Sequence, residues 1–198
     1  MTVTQLTESF RPATAHRPAF VRRDGLNAAE RGTALHEFMQ HCDLRAAAED
    51  PSAEAARLRD RQFLSKEAAA SIDADRVRAF FGSRLGKTIL EADRVYREYS
   101  YMDAAKASDL IQDLDDDHKD DIIIIQGTAD CIIEKDGKLT VLDYKTDRVT
   151  DTEELRRRYS GQLRSYSKSV AARLGKTVSE AVIWSFWLES EVPISIEQ

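Results

Sequence analysis

Three residues that are able to do chemistry together, Asp130, Asp143 and Lys145, occur in one short stretch with the pattern of a β-hairpin. Runs rich in Ile, Val, Thr and Leu flank Asp136-Gly137, which is typical of a two-residue type I′ turn because both turn residues need positive φ. If that dipeptide is the whole loop, Asp130 lies directly opposite Asp143, with Cβ atoms about 5 Å apart. Lys145 then shares the face of Asp143, since alternate strand residues point the same way. Two carboxylates at this distance repel each other, so we interpret the cluster as a metal site.

Each of these residues also has a simpler explanation. A lone Asp is more often a strand-edge residue that faces water, and Asp143 with Lys145 fits an ion pair at the end of a strand. The segment around Asp130 is rich in Ile, however, and Asp is depleted from strands of that kind. The two acidic residues opposite each other therefore favour a functional site.

A histidine on a preceding predicted helix is a candidate third ligand. His36 lies beside the apolar face of that helix, although a lone helical histidine is more often a core or boundary residue. One imidazole with two carboxylates suits Mg²⁺ or Mn²⁺, and Mn²⁺ is better matched to the nitrogen ligand.

A predicted long helix near the C-terminus carries two further polar candidates. Gln162 and Tyr166 are four residues apart and hence neighbours on one face. Core packing explains Tyr166, whereas the Gln162 amide beside an apolar stripe needs hydrogen-bond partners. The run 156–158, which includes Arg158, is by default a solvated face, and it contacts phosphate only if it borders the site.

Composition places the chain among ordinary globular proteins, with a net charge of −6 that argues mildly against nucleic acid. Much of that charge lies in the Asp-rich stretch 109–121, which we interpret as a solvated loop. Cys42 and Cys131 are expected to be small buried residues in a reducing compartment, the cytoplasm, and they are too few for an iron–sulfur cluster. The sequence shows neither a membrane-spanning run nor a signal peptide.

The pattern of elements predicts an α/β protein: a mixed β-sheet flanked by helices, with an N-terminal helical region. Residues 1–26 are predicted to be an arm or linker, and residues 27–198 the domain. We expect a capping box at 27–30 that opens a helix to about Ala48, and a second helical stretch from Asp50-Pro51 to about Leu85 with a break near Ser71. A second capping box at 150–153 starts the long helix, which ends at Leu174. Strands are expected at 94–102, 121–134, 138–146 and 178–188.

The pentapeptide Arg-Leu-Gly-Lys-Thr occurs twice, at 84–88 and at 173–177. It ends like a phosphate-binding loop, but the required leading glycine is absent in both copies. We therefore predict that Gly86 and Gly175 are left-handed residues that terminate helices.

The order of these motifs resembles the RecB-like branch of the PD-(D/E)xK nucleases, and most of all the C-terminal nuclease domain of AddA-type helicase–nuclease subunits. The resemblance covers about residues 27–188. It is carried by four motifs: Gly32 to His36, Gly127 to Asp130, Asp-Tyr-Lys-Thr at 143–146, and Gln162 to Tyr166.

That resemblance implies a restriction-endonuclease-like core and a role for each matching residue. Metal ligands would be His36, Asp130, Asp143 and the carbonyl of Tyr144. Lys145 would orient or activate the attacking water, and Gln162 and Tyr166 would steady the site and the DNA strand. Glu98 is compared with an acidic position of the family.

We therefore expect a Mg²⁺-dependent DNA exonuclease domain, with Mn²⁺ as a substitute ion. The resemblance further implies single-stranded DNA from an unwound duplex as substrate, a helicase motor and an AddB-type partner subunit, and a role in double-strand-break repair and recombination. The alternatives are a non-catalytic DNA-binding or scaffolding module with the same fold, and a structural α/β domain that binds no metal.

Overall fold

A five-stranded mixed sheet forms the centre of the fold, and its strand order β1-β2-β3-β4-β5 follows the chain. The computed structural model describes residues 25–107, 115, 118 and 120–196. The strands are β1 Arg94–Lys106, β2 Ile122–Lys135, β3 Lys138–Lys145, β4 Val178–Ser185 and β5 Ser190–Ile194. β3 and β4 are parallel, and the other neighbouring pairs are antiparallel. The predicted mixed sheet flanked by helices is confirmed.

Helices cover both faces of this sheet. One face packs against six short helices: α1 Ala28–His41, α2 Leu44–Glu49, α3 Pro51–Asp60, α4 Lys66–Ser71, α5 Ala74–Gly82 and α6 Arg84–Leu90. The other face packs against α7, Thr152–Leu174, which makes the crossover between the parallel strands. Alternate strand residues divide between the two cores: Leu142 and Tyr144 lie with the short helices, whereas Val141 lies with α7.

The β2–β3 hairpin has the predicted turn and register. Asp136 and Gly137 have φ values of 51° and 72°, as a type I′ turn requires. Facing pairs run from Lys135↔Lys138 to Cys131↔Leu142. The ladder ends there, one step before Asp130 and Asp143.

The N-terminal half of β2 extends beyond β3 and forms a two-stranded ribbon with β1. The β1–β2 register runs from Arg94↔Glu134 to Lys106↔Ile122. Met102, Ile122 and Ile124 on this ribbon are 60–64% exposed.

Helix boundaries depart from the predictions where a second capping residue intervenes. The capping box of Asn27 with Glu30 is confirmed. The single helix predicted to Ala48 is wrong, because the chain leaves α1 at Cys42 and Asp43 caps α2 through the amides of residues 45 and 46. The next helical stretch has the predicted break after Ser71, but it also breaks at 61–65 and at Ser83, and it continues to Leu90.

Two further predictions are corrected by local chemistry. The cap of α7 is Asp151, whose side chain accepts from the Glu154 amide, rather than Thr150. Gly175 is left-handed as predicted, with φ 61°, but Gly86 lies inside α6. A Cβ at Gly86 would lie 2.2 Å from the Phe80 carbonyl oxygen, so close packing of α5 on α6 accounts for this glycine.

The last predicted strand, 178–188, is also too long. It ends at Ser185, and the chain turns through residues 186–189 into β5, which was not predicted. Residues 1–24 of the predicted arm and most of the Asp-rich stretch lie outside the described residues. Among the helices that the structure describes, none is long and apolar enough to cross a membrane.

Candidate active site

Acidic residues from three adjacent strands converge around Asp130 on β2. On one side, Glu98 of β1 lies opposite Asp130, between the pairs Arg97↔Cys131 and Tyr99↔Ala129. On the other side, Asp143 of β3 follows the last β2–β3 pair. The ladder omits the Asp130 position on both sides, so the carboxylates meet where regular pairing is interrupted.

The backbone of Glu98 is strained at this point. Its φ is 49°, in the left-handed region that non-glycine residues avoid at a cost of about 1–2 kcal/mol. A like-charged pair directly opposite on two strands adds repulsion. Strain of this kind is found preferentially at functional sites, which makes Glu98 a candidate ligand.

His36 completes a three-residue group that is able to hold a cation. Its Nδ1 lies 3.5 Å from Asp130 Oδ2, and its side chain is 31% exposed. One ligand atom from each of His36, Glu98 and Asp130 lies within 4.8 Å of the other two. Mg²⁺, with bonds of about 2.1 Å, holds its ligand atoms at most about 4.2 Å apart. An imidazole and two carboxylates therefore fit a divalent cation after a small inward movement.

Asp143 and Lys145 form a buried ion pair next to this group. Lys145 Nζ lies 2.6 Å from Asp143 Oδ2, and the two side chains are 14% and 3% exposed. This is the distance of a charge-assisted hydrogen bond, in which the ammonium group of Lys145 is held on the buried carboxylate. Lys145 Nζ also lies 4.5 Å from the centre of the Tyr159 ring on α7. The pair therefore places a fixed positive charge beside a buried carboxylate at the edge of the acidic group.

The charges of the cluster shift the pKa of each member. Burial raises the pKa of Asp143 from 3.8 to about 6, against the attraction of Lys145 and with the repulsion of Asp130. Burial also raises the pKa of Glu98, with a contribution from Asp130. For Asp130, burial is outweighed by His36, Lys145 and the Tyr144 amide, so its pKa is lowered. Burial opposes the protonated forms of His36 and Lys145, but the neighbouring carboxylates raise the pKa of both.

Backbone contacts fix the positions of Asp130 and of α1. The Tyr144 amide donates to Asp130 Oδ2 at 2.8 Å. On α1, a Cβ at Gly32 would lie 2.9 Å from Thr146 Oγ1, so glycine lets the helix approach the end of β3 closely. His36 is one turn further along on the same helix face. The predicted spacing of Gly32 and His36 thus has a packing reason.

The residues predicted to contact nucleic acid lie on α7. The Gln162 amide donates to the Tyr166 hydroxyl, and the buried Tyr166 ring packs edge-on against Tyr101 at 5.4 Å. The charges of Asp143, Lys145 and Asp130 act on the Tyr166 hydroxyl, whose pKa burial raises. Arg158 is held by Glu154 and by Asp147, whose Oδ1 lies 3.7 Å away.

The structure thus brings His36 and Asp130 together with Glu98, and it places Asp143 and Lys145 beside them. Asp143 is not among the three residues whose ligand atoms lie within 4.8 Å of one another, and its Oδ2 contacts Lys145. Periodicity and spacing do not predict the central position of Glu98, since only the β1–β2 register places it opposite Asp130.

Comparison with known proteins gives two findings. Residues 10–192 match the family described as the PD-(D/E)XK nuclease superfamily. The chain is 34% identical over 191 residues to the A-type subunit of the ATP-dependent helicase/nuclease of Clostridium botulinum (strain Loch Maree / Type A3), and the match covers 94% of this chain and 15% of the relative. It is 35% identical over 195 residues to the protein of the same name from Bacillus pumilus (strain SAFR-032), and that match covers 91% of this chain and 15% of the relative. The chain therefore spans about 15% of the length of these curated relatives.

Proposed function

The chain belongs to the PD-(D/E)XK nuclease superfamily, and from this membership we propose that it hydrolyses phosphodiester bonds of DNA with the help of a divalent cation. The observation that carries the proposal is the convergence of His36, Glu98 and Asp130 within 4.8 Å, next to the buried Asp143–Lys145 pair. We infer an exonuclease that uses Mg²⁺, with Mn²⁺ as a substitute.

The ligands that we assign to the cation are His36, Asp130, Asp143 and the carbonyl of Tyr144, with Glu98 added by its position. The inclusion of Asp143 is supported by its burial and by the repulsion that the neighbouring Asp130 carboxylate exerts on it. When bound, the cation lowers the pKa of a water molecule and neutralises charge that develops on the phosphate.

Lys145 supplies a second positive charge at a fixed position. Because its pKa is raised, it is protonated at neutral pH and donates hydrogen bonds rather than accepting a proton. Hydrolysis adds a water oxygen to phosphorus and breaks one P–O ester bond, and the negative charge builds up on the non-bridging oxygens. Lys145 is therefore assigned to orient the water and to stabilise that charge.

The DNA strand is proposed to run past α7. Tyr166, positioned by Gln162, lies within electrostatic reach of Asp143 and Lys145. Arg158 is proposed as a strand contact as well, although a phosphate must compete there with Asp147 and Glu154.

The names of the relatives support a wider proposal about context. We infer that the domain works with a helicase motor that delivers single strands, together with an AddB-type partner subunit, in double-strand-break repair and recombination. The short share of each relative that the chain covers agrees with a nuclease domain within a longer protein. Two free, buried cysteines favour the cytoplasm.

A cleavage assay tests the function directly. Linear single-stranded and double-stranded DNA are incubated with the chain in Mg²⁺ or in EDTA, and the products are resolved on a denaturing gel. We expect Mg²⁺-dependent degradation, and a rate loss of at least about 100-fold in Lys145→Ala, because one electrostatic group is removed from the site.

Lys135→Ala is the matched control. Lys135 lies at the turn end of the same hairpin, five residues along β2 from Asp130, and it also makes an ion pair, with Glu91 at 2.7 Å. Undiminished cleavage by Lys145→Ala would refute the assigned role. DNA binding without cleavage in Mg²⁺ and Mn²⁺ would identify a non-catalytic module, and a Mn²⁺ titration without binding would identify a structural domain.

A further inference from the structure

A second cleft with a cationic lining lies beside the cavity that holds the acidic group. Its volume is about 510 Å³, and it is formed by the N-terminal turns of α1, the entry to α5, and the segments that follow β3 and β4. Arg31, Arg76, Arg148 and Trp187 line it. The two cavities share Ala29, Gly32 and Thr146. A ligand that occupies one of them is therefore able to continue into the other.

Trp187 organises two of these arginines. It is half-buried in the turn between β4 and β5, and the guanidinium carbons of Arg76 and Arg148 lie 4.7 Å and 4.8 Å from its ring centre. A guanidinium over an aromatic ring keeps its N–H donors in its own plane, where they are free to bind a planar or tetrahedral oxyanion. Two like charges held on one ring raise the local positive potential, so an anion beside them is favoured.

The charges of the cleft are only partly matched within the protein. Arg76 pairs with Asp73 at 3.1 Å, and it donates to the Phe186 carbonyl. Arg148 is exposed and makes no ion pair with a carboxylate among the described residues. The other acidic residue of the lining, Asp147, accepts from the Tyr159 hydroxyl at 3.0 Å and contacts Arg158.

Arg31 adds a third guanidinium at the edge of the cleft. It donates to the Leu26 carbonyl at 2.7 Å and pairs with no carboxylate in the part of the chain that the structure describes. Arg31 and Arg148 are thus the cations of the lining that remain available to an external anion.

We propose that this cleft is a phosphate clamp for the strand that enters or leaves the acidic site. Arg148, aligned by Trp187, binds one backbone phosphate, and Arg31 binds a neighbouring one. The proposal rests on the proposed nuclease function and adds the path of the substrate. Because guanidinium–phosphate contacts carry no base information, the clamp holds single-stranded DNA without regard to sequence.

Oligonucleotide binding without cleavage tests the clamp. Fluorescence anisotropy of a labelled single-stranded oligothymidylate is measured in EDTA at several salt concentrations, with the whole 198-residue chain. We expect Arg148→Ala to raise the Kd about five- to tenfold and to reduce the slope of log K against log salt by about 0.7, the value for one lost phosphate contact on a single strand. Arg148→Lys restores the slope because it restores the charge.

Arg78→Ala is the matched control. Arg78 lies on α5, as Arg76 does, is exposed, and pairs with Asp75 at 2.7 Å. The same Kd and slope for Arg148→Ala and Arg78→Ala would overturn the clamp. Displacement of the oligonucleotide by orthophosphate at an equal phosphate concentration would also overturn it, since the cleft would then be a site for a free anion.

The clamp and the nuclease activity fail separately. Cleavage by the unmodified chain in Mg²⁺, together with an unchanged Kd in Arg148→Ala, overturns the clamp and leaves the activity. A weakened Kd in Arg148→Ala, with no cleavage by the unmodified chain, supports the clamp and overturns the activity.

Discussion

Replacing Asp143 with asparagine is expected to stabilise the fold while it removes the proposed activity. The Asp143 carboxylate is buried, and the contact with Lys145 at 2.6 Å only partly offsets the cost of burying its charge. Asparagine has nearly the same shape and carries no charge. The variant therefore keeps the packing and removes the desolvation cost of an ionised group.

The size of the effect follows from the pKa of Asp143, which burial raises from 3.8 to about 6. A group whose pKa is higher in the folded state than in the unfolded state contributes its full stabilisation below the unfolded-state pKa. This stabilisation is lost as the pH rises through the folded-state pKa. For Asp143 the loss develops between pH 3.8 and about 6, and it reaches about 3 kcal/mol above that range. The attraction of Lys145 is already included, because it contributes to the same pKa.

The assay is urea unfolding of Asp143→Asn and of the unmodified chain in EDTA, at about pH 4.5 and about pH 7.5. By the same linkage, the free energy of unfolding of the variant exceeds that of the unmodified chain by about 1 kcal/mol at the lower pH and by about 3 kcal/mol at the higher pH. Carboxylates that do not interact with Asp143 titrate alike in both proteins and cancel in the difference. Added Mg²⁺ should narrow the gap at the higher pH, since a bound ion stabilises the protein that retains the ligand.

Asp136→Asn is the control, because asparagine is equally suited to the exposed type I′ turn. If the stability that Asp143→Asn gains over the unmodified chain is the same at both pH values, the reasoning is refuted. A variant less stable than the unmodified chain at the higher pH would also refute it.

Two further predictions concern the strained strand and the buried thiols. Glu98→Gly and Glu98→Ala should weaken Mn²⁺ binding equally in isothermal titration calorimetry. The glycine variant should be more stable to urea than the alanine variant by about 1 kcal/mol, because glycine adopts a φ of 49° without strain. Equal stability of the two variants would show that the backbone is not strained. Burial raises the pKa of Cys42 and Cys131 from 9.0 to about 12, so their contribution to stability is complete below pH 9 and is lost as the pH rises through about 12. The urea midpoint should fall above pH 9, and full reaction of both thiols with a disulfide reagent at about pH 8 without denaturant would contradict this burial.

The hairpin register was predictable because a two-residue turn leaves no freedom to slip. Asp136-Gly137 determines which residues of β2 and β3 face each other, and with them the positions of Asp130 and Asp143. The β1–β2 register has no such signal, because the segment between Lys106 and Ile122 is long and acidic. The alignment of Glu98 with Asp130 therefore could not be read from the sequence.

The missed elements have equally local reasons. The turn before β5 contains no Gly, Pro or Asn, and its residue with positive φ is Glu189, at 51°. The residue types of this segment therefore did not predict a turn. The break at Asp43 did have a signal, since Asp is a strong N-cap residue, but the apolar periodicity across it favoured one helix. Gly86 shows that a glycine needed for close packing has the same sequence pattern as one that ends a helix.

The ribbon of β1 and β2 leaves one edge of β2 open to pairing with another molecule. Along residues 122–130, the side of β2 that faces away from β1 pairs with no other strand in the described part of the fold. Four consecutive isoleucines at 122–125, two of them more than 60% exposed, make that edge a template for a strand of another molecule. The sequence that precedes these isoleucines is rich in Asp, a composition typical of residues that oppose such pairing by charge repulsion.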